Sequence, residues 1–151
     1  EDMACGHTYD KVQCVALNKT GLPSAKVWVV APELSSRNER WCAEENGGEC
    51  FGTSLAVWHR TVAVKGSLTG GSTYVRVEEL QDKERGKEPP QGEGEVWWTC
   101  KSGCGNATIG NASTGDVVGT DPSFASSLAL EDSVLAVGVP GAGGGSGKVE
   151  V

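Results

Sequence analysis

The chain has 151 residues, of which 22 are glycine and 6 are proline, and its formal net charge is −7. This charge excludes nucleic acid as a partner, because phosphate backbones are bound by basic surfaces, and it disfavours an anionic membrane surface. No apolar run reaches the ~20 residues of a transmembrane helix, so we expect no membrane insertion. The many glycines and the scarcity of helix-forming runs favour short strands joined by tight turns, and we predict an all-β protein.

Two alternating apolar segments begin the chain. KVQCVAL at 11–17 and KVWVV at 26–30 place apolar residues at every second position, which is typical of half-buried strands. The turn-forming segment NKTGLPSA at 18–25 separates them, and ERWCAE at 39–44 adds a further strand. We predict that residues 1–50 form strands 2 to 4 of a first β-unit, whose opening strand is absent.

An internal repeat follows this first unit. FGTSLAV in the middle of the chain matches FASSLAL near its end, and each copy continues through a turn, a second apolar run, a glycine-rich loop and an alternating strand. The matched segments are 51–57 with 124–130, 61–64 with 134–137, and 73–77 with 148–151. GEVWWTC at 94–100 adds a Trp-containing strand to the middle copy, so the predicted unit is a four-stranded antiparallel meander.

Two segments without an apolar face separate these strands. Residues 78–94 are charged and include Pro89-Pro90, so we predict an exposed insertion. Residues 105–123 are small and polar, and we predict a second loop there. The middle unit therefore spans 51–104 with its insertion, and 105–151 contains the loop and a last unit that lacks its fourth strand.

Six cysteines fall into three pairs that are close in sequence: Cys5 and Cys14, Cys42 and Cys50, and Cys100 and Cys104. Six cysteines allow many connectivities, so the sequence leaves the pairing open, and we expect the three local disulfides. The alternative is a zinc site that includes Cys100 and Cys104. The chain has only two histidines, His7 and His59, and no second close cysteine pair of the zinc-knuckle type, so we expect disulfides and no metal.

Three N-x-[ST] sequons, like the paired cysteines, indicate an extracellular compartment. Their acceptors are Asn18, Asn106 and Asn111, and each lies in a segment rich in Gly, Ser and Thr that is typical of a loop. A single sequon could be accidental, but sequons together with disulfides indicate the secretory route. We therefore expect an extracellular or cell-surface protein that carries N-linked glycans.

The repeat resembles the FG-GAP repeat of integrin-α-type β-propellers. The resemblance covers 124–151 and 51–77, and more weakly 11–30. The residues that carry it are Phe51-Gly52, Phe124-Ala125 and Gly138-Val139-Pro140 at the GAP position. It implies two to three propeller-like blades of four antiparallel strands, stapled by the disulfides. Small residues would let inner strands crowd together, and Phe51 and Phe124 would fill the gaps between neighbouring sheets.

The resemblance does not extend to a calcium loop, since the turns at 58–60 and 131–133 are too short for the roughly 6–8 oxygen ligands that calcium takes. Propellers close with about 4–8 blades, so this chain would form an incomplete propeller with an unpaired sheet edge. Such an edge is a template for pairing. We expect copies to complete one another as a homo-oligomer or filament; a ring of several copies and a longer polypeptide are the alternatives.

Catalytic motifs are scarce. The glycine-rich segment 141–147 lacks the Lys-[ST] of a phosphate loop, and neither histidine lies in a nucleophile motif. The carboxylate pairs Glu44-Glu45, Glu78-Glu79 and Glu131-Asp132 could serve glycoside hydrolysis, but adjacent residues point to opposite faces of a strand. We therefore expect no catalytic residues, no cofactor and no enzymatic activity.

Tryptophans are the strongest binding candidates. Trp58, Trp97 and Trp98 could stack on carbohydrate, or they could pack between sheets. We expect a structural or adhesive extracellular glycoprotein that self-assembles by strand-edge complementation. The alternative is a carbohydrate- or protein-binding propeller module, lectin-like or integrin-like, with a carbohydrate or cell-surface protein ligand; a domain of a secreted hydrolase is a third reading.

Overall fold

A computed structural model describes residues 2–8, 11–30, 51–67, 73–82, 96–102, 117–119, 121 and 123–151. Within these residues the protein is all-β, with eleven strands in three antiparallel sheets. The strands are β1 (Met3–Thr8), β2 (Lys11–Leu17), β3 (Pro23–Val30), β4 (Phe51–Trp58), β5 (Thr61–Ser67), β6 (Thr73–Asp82), β7 (Val96–Ser102), β8 (Val117–Gly119), β9 (Ser127–Glu131), β10 (Val134–Val139) and β11 (Lys148–Glu150). In this part of the chain no helix is long and apolar enough to cross a membrane.

The N-terminal sheet has the order β1-β2-β3. Strand β1 is the opening strand that we predicted to be absent from the first unit, so that prediction is wrong. Its residues Met3, Cys5 and His7 alternate toward one face, but they are not β-branched and give a weak strand signal. The predicted fourth strand of this unit, at 39–44, lies outside the described residues.

The middle sheet has the order β4-β5-β6-β7, and β8 pairs with the first part of β6. Strand β6 continues to Asp82, so the predicted loop at 78–94 begins too early. The segment holds a strand because Glu78, Leu80 and Gln81 are buried, and because the ion pair with Arg76 compensates the charge of Glu78. Strand β8 likewise corrects the prediction that all of 105–123 is loop.

The C-terminal sheet has the order β11-β10-β9. The glycine-rich loop between β10 and β11 contains a four-residue helical turn, α1 (Ala142–Gly145), in which Gly143 and Gly144 have positive φ values of 63° and 72°. Asp121 and Ser123 tie the approach to β9 to this loop: Asp121 Oδ1 accepts from the Ser123 hydroxyl at 2.6 Å, and Ser123 Oγ accepts from the Gly141 amide at 2.7 Å. The bonds from Ser123 hold the pKa of Asp121 below its ordinary value.

The two copies of the repeat share local backbone geometry. The residue after each repeat Phe has a positive φ, 92° at Gly52 and 57° at Ala125. The two-residue hairpin turns also match, since His59 and Asp132 have φ values of 49° and 52° at corresponding positions. The repeat that we read from the sequence is therefore also a repeat of backbone conformation.

Two apolar cores lie on opposite faces of the middle sheet. One joins Phe51, Val62 and Val64 to the N-terminal sheet, and the other joins Ala63 and Val75 to Phe124 and the C-terminal sheet. This confirms the expectation that each repeat Phe fills the gap between neighbouring sheets. Residues at odd and even positions of β5 face different partners because side chains alternate across a strand.

The three sheets stack in chain order, and the first strand of each sheet makes contacts with the neighbouring sheet. Strand β4 packs on β1 and β2, and β9 packs on β4 and β5 in the same manner. The described strands form three stacked sheets and do not close a ring.

Candidate binding surfaces

A cleft of about 660 Å³ lies between the middle and C-terminal sheets, at the end that carries the β4–β5 and β9–β10 turns. Its apolar lining consists of Val77, Leu130 and Leu135. Its polar and aromatic lining comprises Trp58, His59, Arg60, Thr61, Glu79, Lys101, Ser102, Asp132 and Ser133. An apolar floor with a few convergent polar groups, at this volume, is typical of a ligand site.

The turn between β4 and β5 positions Trp58 at the cleft. Trp58 is the last residue of β4 and pairs with Thr61 across the turn. Its ring meets the His59 ring edge to face, with centroids 4.5 Å apart. The indole therefore has a fixed orientation at the rim of the cleft.

A buried arginine anchors the same turn. The Arg60 Nε–H donates to the carbonyl oxygen of Leu80 at 3.2 Å, and its Nη2 lies 3.0 Å from Asp82 Oδ2. The guanidinium also lies 5.9 Å from the centroid of the Trp28 ring. Because Arg60 is buried, its partners on β6 satisfy the charge that burial would otherwise penalise.

The ionisable side chains that line the cleft include Glu79, Lys101 and His59, and each has a partner. Lys101 Nζ lies 3.3 Å from Glu79 Oε2, and both side chains are partly exposed. His59 Nδ1 lies 2.9 Å from Asp2 Oδ1, and since a carboxylate only accepts, this nitrogen carries the proton. The hydrogen bond holds the pKa of Asp2 below its ordinary value.

Of the three tryptophans predicted as sugar platforms, only Trp58 lines the cleft. Trp97 is only 6 % exposed, which leaves little of its ring for a ligand to contact. Trp98 is half-buried and packs against the core between the N-terminal and middle sheets. Adjacent residues of β7 face opposite sides of the sheet, so the two indoles lie on different faces.

The described carboxylate pairs do not converge. The buried Glu78 is paired with the Nε of Arg76 at 2.5 Å, whereas Glu79 is paired with Lys101. Glu131 ends β9 and Asp132 lies in the turn that follows, both exposed, and the pair at 44–45 lies outside the described residues. Across the part of the chain that the structure describes, no group of three or more His, Cys, Asp or Glu side chains could hold a metal ion.

The predicted disulfide between Cys5 and Cys14 is present. The two residues are directly opposite in the β1–β2 register, and their Cα atoms lie 4.1 Å apart. Cys100 is also disulfide-bonded, and its predicted partner Cys104 lies outside the described residues. The predicted pair of Cys42 and Cys50 also lies outside them.

The first sequon lies in the exposed turn between β2 and β3. Asn18 Oδ1 accepts hydrogen bonds from the Thr20 hydroxyl at 2.7 Å, from the Thr20 amide at 2.9 Å and from the Leu22 amide at 3.0 Å. All three bonds use the oxygen, so the amide nitrogen that would carry a glycan takes part in none of them. The other two acceptors, Asn106 and Asn111, lie outside the described residues.

Exposed apolar side chains lie on the outer faces of the two flanking sheets. On the C-terminal sheet Val134 is 53 % and Val149 69 % exposed, and on the N-terminal sheet Val27 and Val29 are exposed. Each flanking sheet packs one face against the middle sheet, so its valines of opposite parity point away from the core.

Sequence reasoning missed Lys101 and Arg60, and it considered Glu79 only as a member of a carboxylate pair. Glu79 and Arg60 come from segments that read as solvated, and Lys101 from the end of a strand; only the pairing of β6 with β5 and β7 brings them together. Comparisons with models of protein families, with curated proteins and with solved structures find no match. The fold and surfaces define a disulfide-containing all-β protein of stacked antiparallel sheets.

Proposed function

We propose that the chain is an extracellular structural or adhesive glycoprotein, a self-assembling subunit or module of a fibre or cell-surface array. The observation that carries the proposal is the uncovered C-terminal sheet, whose strand β11 is exposed at all three residues. Among the described strands β11 pairs with β10 alone. No described strand pairs with its other side, and a strand edge without a partner is a template for another strand.

The side chains of this sheet favour association over solvation. Val149 lies in the middle of β11, and Val151 follows the strand and is also exposed. Soluble β-proteins protect an edge with charge, proline or a bulge, because an apolar edge invites pairing. Lys148 and Glu150 flank Val149 but are ion-paired with each other, so their charges neutralise and oppose pairing weakly.

The stacking of the sheets supports the FG-GAP-like interpretation of the repeat. In a propeller each blade packs face to face on the next, with its first strand nearest the axis. Strands β1, β4 and β9 are the first strands of their sheets, and β4 contacts both of the others. This arrangement fits blade-like modules that associate with further modules.

The Asn18 turn supports the glycoprotein part of the proposal. The side chain is exposed, and the Thr20 hydroxyl already contacts its amide oxygen. A secreted chain is expected to gain the mass of a glycan at Asn18, and Thr20→Ala is expected to abolish that gain. Intact-mass measurement before and after deglycosylation tests whether Asn18 carries a glycan.

Sedimentation velocity of the oxidised protein over a range of concentrations tests the proposed assembly. We expect wild type to form oligomers or filaments, and Val149→Lys to remain monomeric because a lysine on an edge strand opposes pairing. Leu22→Lys is the matched control, since Leu22 is exposed in the β2–β3 turn, away from the C-terminal sheet. A wild-type chain that stays monomeric throughout would sink the proposal.

The second candidate function is carbohydrate binding, which the cleft beside Trp58 favours. Its apolar floor suits the C–H face of a sugar ring, and its polar rim with Glu79, Lys101 and Asp132 suits the hydroxyl groups. We expect Trp58→Ala to weaken binding of a soluble oligosaccharide by roughly tenfold, or about 1.4 kcal/mol, whereas Trp58→Phe keeps most of the affinity. A glycan array followed by calorimetry provides the measurement, and equal binding by all three proteins would exclude this cleft.

A further inference from the structure

The outer face of the C-terminal sheet has a counterpart within the same chain. We define the outer face by Ala129, Glu131, Val134, Ala136 and Val149, whose positions in the strands point away from the middle sheet. The repeat aligns Phe51 with Phe124, so Ala56 and Ala63 correspond to Ala129 and Ala136. Strand register extends the correspondence: Lys65 pairs with Val75 as Gly138 pairs with Val149.

Burial differs sharply between the two corresponding faces. Ala63 and Val75 are fully buried, because the C-terminal sheet covers them with Phe124, Leu128 and Leu130. At the corresponding position on the outer face, Val149 is 69 % exposed. The same pattern of small and β-branched residues is therefore a covered surface in one sheet and an uncovered one in the next.

The stacking rule within the chain indicates what would cover the outer face. Strand β4 lies on β1 and β2, and β9 lies on β4 and β5, so each new sheet places its first strand on the first two strands of the sheet before it. One further step of this operation places the first strand of another sheet on β9 and β10. The covering element is thus a β-sheet that presents an apolar face.

We propose that this element is the N-terminal sheet of a second copy of the chain, docked through its own outer face. That face presents Val27 and Val29, both exposed, with Val15 paired to Val27. The alanines of one face leave room for the valines of the other, as small and large residues alternate in packed layers. The proposal rests on the proposed self-assembly and assigns it to this contact between two sheet faces, so pairing at the β11 edge becomes the alternative that the test separates from it.

The contact is heterologous, because it joins two different faces that lie on opposite sides of the three-sheet stack. Heterologous contacts form a ring when the rotation closes and a filament when it does not. An open assembly keeps two free faces, an N-terminal one at one end and a C-terminal one at the other. Two single variants that each block one face should therefore complement each other.

The test uses Ala136→Lys and Val27→Lys. Ala136 lies on β10, which is paired on both sides, so a lysine there blocks the face and leaves the β11 edge intact. Val27→Lys blocks the other face. We expect each variant alone to be monomeric in sedimentation velocity. An equimolar mixture should form one-to-one dimers and nothing larger, because only one productive pair of faces remains.

Leu22→Lys, which leaves both faces intact, should assemble as wild type does. If Ala136→Lys assembles at the same concentration as wild type and only Val149→Lys fails to assemble, the face contact is wrong and edge pairing accounts for the assembly. Dimers of Val27→Lys alone, with no gain on mixing, would overturn it in favour of a symmetric contact between two C-terminal sheets. Absence of assembly in wild type would remove the proposed function together with this inference. Circular dichroism of each variant verifies that the all-β fold is retained.

Discussion

At the scale of single residues, the residues that follow the two repeat phenylalanines adopt the same positive-φ backbone conformation but carry different side chains. Gly52 meets a positive φ without a Cβ, whereas Ala125 meets it with one. A Cβ at Gly52 would lie 2.7 Å from His7 Cβ and 2.9 Å from Val12 Cγ2, so the glycine also permits the close approach of β4 to the N-terminal sheet.

This difference predicts opposite outcomes for two matched substitutions. Gly52→Ala should destabilise the protein by about 2–4 kcal/mol, since it adds left-handed strain and overpacking. Ala125→Gly should change the free energy of unfolding by less than about 1 kcal/mol, because relief of strain offsets the loss of a buried methyl group and the added chain entropy. Urea denaturation compares the two, and an equal loss in both variants would contradict the argument.

The residue scale also shows what the sequence could and could not reveal. Phe51, Phe124 and Trp58 were found because a repeat and an aromatic side chain are local signals. Glu79 and Lys101 contribute to the cleft only through the β6–β7 register, which no local pattern encodes. The burial of Trp97 could not be predicted for the same reason, since it depends on what covers the sheet.

At the scale of elements, hairpins were predictable and isolated strands were not. The β4–β5 and β9–β10 hairpins join alternating segments through short turns, so period and turn chemistry agree. Strand β8 has three residues and pairs with β6, and Phe124 packs over its Gly119. The end of β6 was predicted to be an exposed loop because it is charged. The Arg76–Glu78 ion pair allows the charge of Glu78 to be buried.

The β1–β2 hairpin is cross-linked by a disulfide between two directly opposite residues. Cys5 and Cys14 are separated by 9 positions, and closing a loop of this size stabilises the folded state by about 2–3 kcal/mol in the chain-entropy model. Cys5→Ala should lower the stability by about that amount, and Cys14→Ala added to it should cost little more, because the bond is already lost. Thermal denaturation of the single and double variants measures this, and independent, additive losses would contradict a shared covalent origin.

At the scale of the whole molecule, the middle sheet is shared by two cores. The N-terminal sheet covers one face of β5 and the C-terminal sheet covers the other, whereas no described element packs on the second face of either flanking sheet. The sequence predicted repeated antiparallel units but could not show that their faces are used unequally. That inequality, more than the identity of any one residue, is why association surfaces are expected at the two flanks.

Unequal covering also predicts unequal local stability. Opening β5 must disrupt both cores, so its amides at Val62 to Val64 should exchange only by global unfolding. Strand β11 has three exposed residues and one described neighbour, so its amides should exchange several orders of magnitude faster in dilute, monomeric protein. Hydrogen exchange followed by mass spectrometry measures both, and self-assembly at higher concentration should slow exchange in β11 without altering β5. Equal protection of the two strands in the monomer would mean that the C-terminal sheet is already covered, and that its face is no docking surface.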